Sequence, residues 1–155
     1  MTMLSDLNQY AGGDSHPAFK FKRIGDAVKG RILRSKIVEF VDKENNKPKT
    51  SLVIDLEVQA AKGGLAVKGF DDDGMEKWTV TDIPAGDTVT VWLNPGFGIG
   101  AVRDALSAVG ATALEDGGVL KVKLVEKRDV GKQQPANVFE AEYEAPKGGV
   151  NIDEL

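Results

Sequence analysis

The two stretches AVKGRILRSKIVEF, from Ala27 to Phe40, and LVIDLEVQ, from Leu52 to Gln59, decide the fold of this chain. Both alternate apolar side chains with charged or polar ones, which is the period of a β-strand with one buried face. Leu33 interrupts the alternation of the first stretch and predicts a β-bulge there. The charged segment DKENNKPK, residues 42–49, separates the two and has the composition of a turn. The sequence therefore predicts two long strands joined as a hairpin.

The rest of the chain adds shorter strands and one helix. Residues 60–74 contain Gly63-Gly64 and three successive aspartates, which predicts a long exposed connection with a short strand over 65–70. Ile99, Val102, Leu106 and Val109 fall at helical spacing, and Gly110 follows as a stop signal. Alternating strand patterns cover the segments 77–83, 88–93, 119–127 and 138–145. This order predicts a mainly β fold, an OB-type antiparallel barrel of five to six strands with one α-helix between strands 3 and 4.

Length and composition indicate one globular domain with two tails. The chain has 155 residues, of which 41% are hydrophobic and 28% charged. We expect a flexible arm over residues 1–17, the OB-fold domain over 18–146 and a flexible acidic tail over 147–155. No apolar run approaches the ~20 residues of a membrane span, and the start lacks the pattern of a signal peptide, so a soluble intracellular protein with no membrane partner is expected. Because the chain has no cysteine, it has no disulfide framework and no thiolate ligand.

Charge is distributed unevenly along the chain. The net charge of −4 argues against a protein that coats duplex DNA by bulk positive charge. Residues 18–70 hold 12 Lys and Arg against 6 Asp and Glu, whereas residues 71–155 hold 8 against 16. The first half is therefore basic, and a binding surface for nucleic acid is expected there.

Six segments carry a resemblance to a known family: FKFKRIGDAVKGRIL, NKPKTSLVIDLEV, DDDGMEKWTV, AVRDALSAVGA, GGVLKVKLVEKRD and NVFEAEYEAP. In this order, between Phe19 and Pro146, they resemble a family of OB-fold, presumed single-stranded-DNA-binding proteins of actinobacterial phages. The resemblance implies an OB fold, a non-enzymatic role in phage replication or recombination, and a location in the host cytoplasm. Proteins that bind single strands combine a charged groove with aromatic side chains on which bases stack.

The candidate binding residues are the cations and aromatic rings of the basic half, together with one tryptophan beyond it. Trp92 shares a strand face with Thr88 and Thr90, opposite Val89 and Val91, so it is expected to be partly exposed. The alternatives are a basic strand balanced by Asp55 and Glu57, and a Trp92 covered by the 60–74 connection. The predicted nucleic-acid-binding residues are Lys20, Lys22, Arg23, Lys29, Arg31, Arg34, Lys36, Phe40, Lys49, Phe70 and Trp92.

Trp78 and two lysines are left outside this set. Trp78 alternates in phase with Val80 and is predicted to lie in the core. Lys121 and Lys123 share a strand face, and the glutamates of the segment 138–145 share another, so the two sets are expected to pair across a hairpin.

The remaining motifs do not support catalysis or metal binding. GFGIG, residues 96–100, follows a strand and opens a helix, but its spacing is not that of a dinucleotide fingerprint, and no parallel sheet is predicted. Asp71-Asp72-Asp73-Gly74 lacks the pattern of an EF-hand and suits a turn. His16, the one histidine, lies in the predicted arm and has no partner for a catalytic or metal site there. We therefore expect no enzymatic activity, no cofactor and no metal.

The sequence thus predicts a largely sequence-independent single-stranded-DNA-binding protein. Residues 152–155, at the tip of the tail, are a candidate binding segment for replication proteins. The chain is also a candidate homo-oligomer. The alternative is a protein-interaction or virion-associated OB module without nucleic-acid binding, which the net acidic charge would suit.

Overall fold

The computed structural model describes residues 16–41, 46–131 and 135–146. Within these residues the chain forms seven strands and one α-helix. Their order is β1 (Ala27–Val41), β2 (Pro48–Lys62), β3 (Gly64–Phe70), β4 (Glu76–Asp82), β5 (Thr88–Leu93), α1 (Phe97–Ala108), β6 (Val119–Arg128) and β7 (Ala136–Glu144). The predicted segments 1–15 and 147–155 of the arm and tail lie outside the described residues.

The main sheet has five antiparallel strands in the order β5-β2-β1-β6-β7. The predicted hairpin of β1 and β2 is confirmed, and so is the bulge, because the register shifts between Ile32 and Arg34. One face of the sheet supplies the core, where Ile32, Ile54, Leu56 and Val122 are each fully buried. The alternation of β1 places Val28 and Ile32 on the buried face and Lys29 and Arg31 on the exposed one, whereas residues 51–56 of β2 are buried on both faces.

The helix closes one end of this core. Val102 and Ala105 of α1 are buried among the apolar side chains of the sheet. Gly98 allows the close approach, because a Cβ there would meet the Cβ of Leu93 at 3.1 Å. The helix lies between β5 and β6, and Val109 forms its C-cap. No helix in the described ranges has both the length and the apolar character to cross a membrane.

β3 and β4 form a separate two-stranded ribbon. The short strand predicted over 65–70 and the strand pattern over 77–83 correspond to β3 and β4, and the described residues hold seven strands rather than the five to six predicted for the barrel. The prediction that Trp78 is core is wrong: its side chain is 40% exposed on β4. Trp78 and Val80 do share a strand face, but every residue of β4 except Val80 is exposed in this separate sheet. Periodicity shows which residues share a face, and it does not show what covers that face.

The expected closed barrel is not formed, because no pairing joins β5 to β7 among the described residues. A short N-terminal segment occupies the outer edge of β5 instead: the amide of Phe19 donates to the carbonyl of Thr90 at 2.9 Å, and the amide of Thr90 donates to the carbonyl of Pro17 at 2.9 Å. Phe21 then packs edge-on against Phe139 of β7, with ring centroids 5.0 Å apart. The gap between β5 and β7 is thus bridged by an aromatic contact.

Candidate nucleic-acid interface

Three of the predicted phosphate ligands are engaged by carboxylates. Arg34 Nε lies 2.7 Å from Asp55 Oδ2, Arg23 Nε lies 3.2 Å from Asp26 Oδ1, and an Arg31 Nη atom lies 3.4 Å from Glu57 Oε2. The alternative interpretation, a basic strand balanced by acids across the hairpin, is therefore correct for Arg31 and Arg34. The basic segment 20–36 is not one continuous row of unpaired cations.

Two of these carboxylates are buried, which gives their arginine partners a structural role. Asp55 is 1% exposed and also accepts a hydrogen bond of 2.7 Å from the Thr90 hydroxyl. Asp26 is 0% exposed and accepts the backbone amides of Lys22 and Arg23, at 2.9 and 2.8 Å. A buried carboxylate needs such partners, because an unpaired charge in the interior is costly. Arg34 and Arg23 therefore each stabilise a buried carboxylate, Asp55 and Asp26 respectively.

A cluster of lysines lies on the outer face of β2, β1 and β6. Lys29 of β1 is directly opposite Lys121 of β6, and the neighbouring row places Ala27 between Lys62 of β2 and Lys123 of β6. Lys29, Lys62 and Lys123 are exposed and Lys121 is partly exposed. We call these four residues the lysine face. Like charges directly opposite on neighbouring strands destabilise a sheet, so this arrangement suits an anionic ligand that neutralises it.

Glutamates border the lysine face along β7. The predicted cross-strand register is confirmed, because Lys121 is opposite Glu142 and Lys123 is opposite Glu140. The contact is loose, however, since Lys121 Nζ lies 4.0 Å from Glu142 Oε2 and the Glu142 side chain is 80% exposed. Exposed pairs of this kind contribute about 0–1 kcal/mol. The carboxylates therefore do not immobilise the two lysines.

The other predicted cations lie in two places. Lys20 is exposed and its backbone amide donates to the carbonyl of Gly64 at 3.0 Å, and Lys22 places its ammonium 3.9 Å from the centre of the Trp78 ring. Lys36 lies opposite Val53, and Lys49 opposite Phe40 near the far end of the hairpin. The structure does not bring these residues together with the lysine face into one patch.

The predicted stacking residues are also separated. Phe70 is 74% exposed at the end of β3, and Phe40 is partly buried near the end of β1. Trp92 is partly buried, which agrees with the expectation that its side chain is partly exposed. Thr90, which shares its strand face, is only 2% exposed. Trp92 lines a cleft of about 500 Å³ at the gap between β5 and β7. The structure therefore does not form one aromatic row from these three side chains.

β6 carries cations from the lysine face towards this cleft. Lys127 donates to the carbonyl of Lys22 at 2.9 Å, and the Arg128 guanidinium lies 5.0 Å from the centre of the Phe97 ring, which lines the cleft. A hydrogen bond of 2.7 Å to Glu126, with their charge attraction, raises the pKa of Arg128 above its ordinary value. The sequence prediction missed Lys62, Lys121, Lys123, Lys127, Arg128 and Phe97.

The turn and glycine motifs have structural roles. Asp71 Oδ1 accepts the amides of Asp73 and Met75, at 3.0 and 2.8 Å, which confirms the turn interpretation of the aspartates. Gly96 has a φ of 93° and forms the N-cap of α1, a conformation that favours glycine. In the described part of the chain, no three histidine, aspartate or glutamate side chains come together as a metal site.

Comparison of this chain with protein-family models, with curated proteins and with solved structures gives no match.

Proposed function

We propose that this chain is a non-enzymatic protein that binds single-stranded DNA with little sequence preference, in phage replication or recombination within the host cytoplasm. The observation that carries the proposal is the lysine face. A protein with a net charge of −4 places Lys29 directly opposite Lys121, with Lys62 and Lys123 in the adjacent row. Phosphates placed along this face would neutralise the cations and release counterions, which favours binding.

Exposed aromatic rings favour a single strand over a duplex as the ligand. Phe70 is 74% exposed and Trp78 40% exposed on one face of the β3–β4 ribbon. On that face Lys68 lies 3.1 Å from Glu76, and the Lys22 ammonium lies 3.9 Å from the centre of the Trp78 ring. Unpaired bases can stack on such rings, whereas the bases of a duplex are already stacked on each other. This combination of cations and rings supports a single-stranded ligand.

The strand order supports an OB-type architecture with an open seam. If the ribbon is set aside as an insertion, β1, β2, β5, β6 and β7 count as strands 1 to 5, and α1 then follows the third. β1 lies between β2 and β6, as the first strand of such a barrel lies between the second and fourth. The missing element is the contact between β5 and β7, where Phe21 lies against Phe139.

Fluorescence anisotropy tests the proposal directly. We expect a labelled oligothymidylate to bind more tightly than the corresponding duplex, with an affinity that falls as salt rises. Lys29→Gln should flatten the slope of log affinity against log salt by about 0.7, the value for one phosphate contact of a single strand. The matched control is Arg103→Gln, which removes one exposed cation of α1 that is not part of the lysine face and should leave the slope unchanged. Negligible binding to both oligonucleotides would contradict the proposal.

A second candidate function is a protein-interaction module, and the ribbon favours it. Val67, Phe70 and Met75 are 68%, 74% and 66% exposed, so both faces of the ribbon and its tip present apolar groups. A two-stranded ribbon alone is marginally stable in water, and pairing with the same ribbon of a second copy would extend it to four strands. Light scattering over a range of concentrations tests pairing between two copies: a dimer that Val67→Lys dissociates would support it, and a monomer at every concentration would reject pairing of the ribbons.

A further inference from the structure

The cleft between β5 and β7 has the chemistry of a slot for a flat heterocycle. Its lining combines aromatic rings from four parts of the chain with two side-chain amides. These residues are Phe21, Trp92, Asn94, Phe97, Asn137 and Phe139. Rings offer stacking surfaces for a base, and amides offer hydrogen-bond donors and acceptors for its edge.

The strand arrangement explains why this cleft exists. β5 and β7 do not pair, and Phe21 bridges only part of the gap between them by its contact with Phe139. Trp92 and Asn94 reach the remaining opening from the end of β5, and Phe97 reaches it from the first turn of α1. Asn94 Oδ1 is already bound by the Ser51 hydroxyl at 3.1 Å, which orients the amide. The open seam thus creates a concave site lined with aromatic rings.

Cations connect the cleft to the lysine face. Lys121, Lys123, Lys127 and Arg128 all lie on β6, and Arg128 stands over Phe97 at the rim. At ~3.4 Å per residue, the seven steps from Lys121 to Arg128 span at most roughly 24 Å, since the strand has a register shift between Leu124 and Glu126. Phosphates placed along β6 would bring the nucleotide that follows them to the cleft.

We infer that the cleft between β5 and β7 receives one unstacked base of the bound single strand, with its phosphates along β6. This inference rests on the proposed function and adds a specific base site to it. Trp92 and Phe97 supply stacking surfaces, and Asn94 and Asn137 face the edge of the base. A phosphate group alone would gain nothing from these rings, and a duplex keeps its bases inside the helix.

Tryptophan fluorescence of the full chain tests this inference. The chain has two tryptophans, so Trp78→Phe leaves Trp92 as the only one. We expect oligothymidylate to quench Trp92 emission over the same concentration range in which anisotropy reports binding. Should Trp78→Phe fail to fold, the indole N–H resonances of the unaltered chain provide the same information, with Trp92→Phe used for assignment.

Two matched substitutions locate the base. Phe97→Leu removes a ring from the cleft, and Phe70→Leu removes one from the ribbon. Phe97→Leu should weaken oligothymidylate binding by about 5- to 150-fold without changing the salt slope, since ~1–3 kcal/mol per stacked base is lost and no charge is removed. Asn137→Ala should weaken binding less, and Phe70→Leu should leave Trp92 quenching intact.

The outcomes separate this inference from the proposed function. If anisotropy shows oligothymidylate binding while Trp92 emission stays constant and Phe97→Leu binds like the unaltered chain, the base site is refuted and the proposed function stands. If no oligonucleotide binds at all, both are refuted.

Discussion

Arg34 provides the sharpest test of how the structure divides cations between stability and binding. Its guanidinium lies 2.7 Å from a carboxylate oxygen of Asp55, and the Asp55 side chain is 1% exposed. Arg34→Ala would leave that carboxylate in the interior with one remaining hydrogen bond among the described residues, the one from the Thr90 hydroxyl. The substitution therefore removes the charged one of the two hydrogen-bond partners that the described residues give this buried carboxylate.

The expected loss follows from burial. Breaking a fully buried ion pair costs about 3–5 kcal/mol, and a hydrogen bond to a charged group contributes about 1.5–3 kcal/mol. Because the Arg34 side chain is 40% exposed, water can partly replace it as a partner of Asp55. We therefore expect Arg34→Ala to lower the free energy of unfolding by about 2 kcal/mol, within the range for one hydrogen bond to a charged group. Arg31→Ala is the control on the same strand: both partners of its pair are 47% exposed, so about 0–1 kcal/mol is expected.

Urea denaturation followed by circular dichroism measures both variants. With a slope of ~1–3 kcal/mol per molar urea, Arg34→Ala should lower the midpoint by roughly 1 M and Arg31→Ala by much less. Arg34→Ala should also leave the salt dependence of oligothymidylate binding unchanged, in contrast to Lys29→Gln. Equal and small losses of stability for the two arginine variants, or a flattened salt slope for Arg34→Ala, would refute the structural role of Arg34.

Three further substitutions test other features of the structure by urea denaturation. Lys29→Gln should raise the free energy of unfolding by a few tenths of a kcal/mol, because it removes the repulsion of Lys121; a loss of stability would count against the opposed lysines. Gly64→Ala should lower it by more than about 2 kcal/mol, because Gly64 has a φ of 105° and a Cβ would overlap the Phe19 ring; an unchanged midpoint would show that this packing is wrong. Tyr143→Phe should cost about 0.5–1.5 kcal/mol through the lost hydrogen bond of 3.2 Å from the Glu115 amide, and a neutral result would show that this bond is not formed.

The local elements of the fold could be predicted because each depends on residues close together in sequence. The alternation of Ala27 to Phe40 corresponds to β1, and the helical spacing of Ile99 to Val109 corresponds to α1, with boundaries that differ by two residues or fewer. Closure of the barrel could not be predicted in the same way. It depends on whether β5 pairs with β7 or with Ala18, and an alternating pattern is the same with either partner.

The candidate site was harder to predict, because charge patterns along one strand do not identify the neighbouring strand. Lys29 was predicted as a ligand from its own strand, whereas Lys121 was assigned to pairing with glutamates. The two lysines face each other only because β6 lies beside β1, which depends on the order of all five strands. Arg34 illustrates the opposite error: its position suited a phosphate ligand, but Asp55 on β2 is buried and binds it.

The Pro17–Phe19 segment has a consequence for association between chains. An unpaired strand edge is a template on which a strand of another molecule can add, and the outer edge of β5 would be such a template next to the buried Val89 and Val91. In this protein, residues 17–19 occupy that edge at Thr90. The amide and the carbonyl of Thr90 are therefore not available to a strand of another molecule. Proteolytic cleavage just after Phe21, followed by loss of the segment, would expose those groups, and we expect the shortened protein to aggregate through β5.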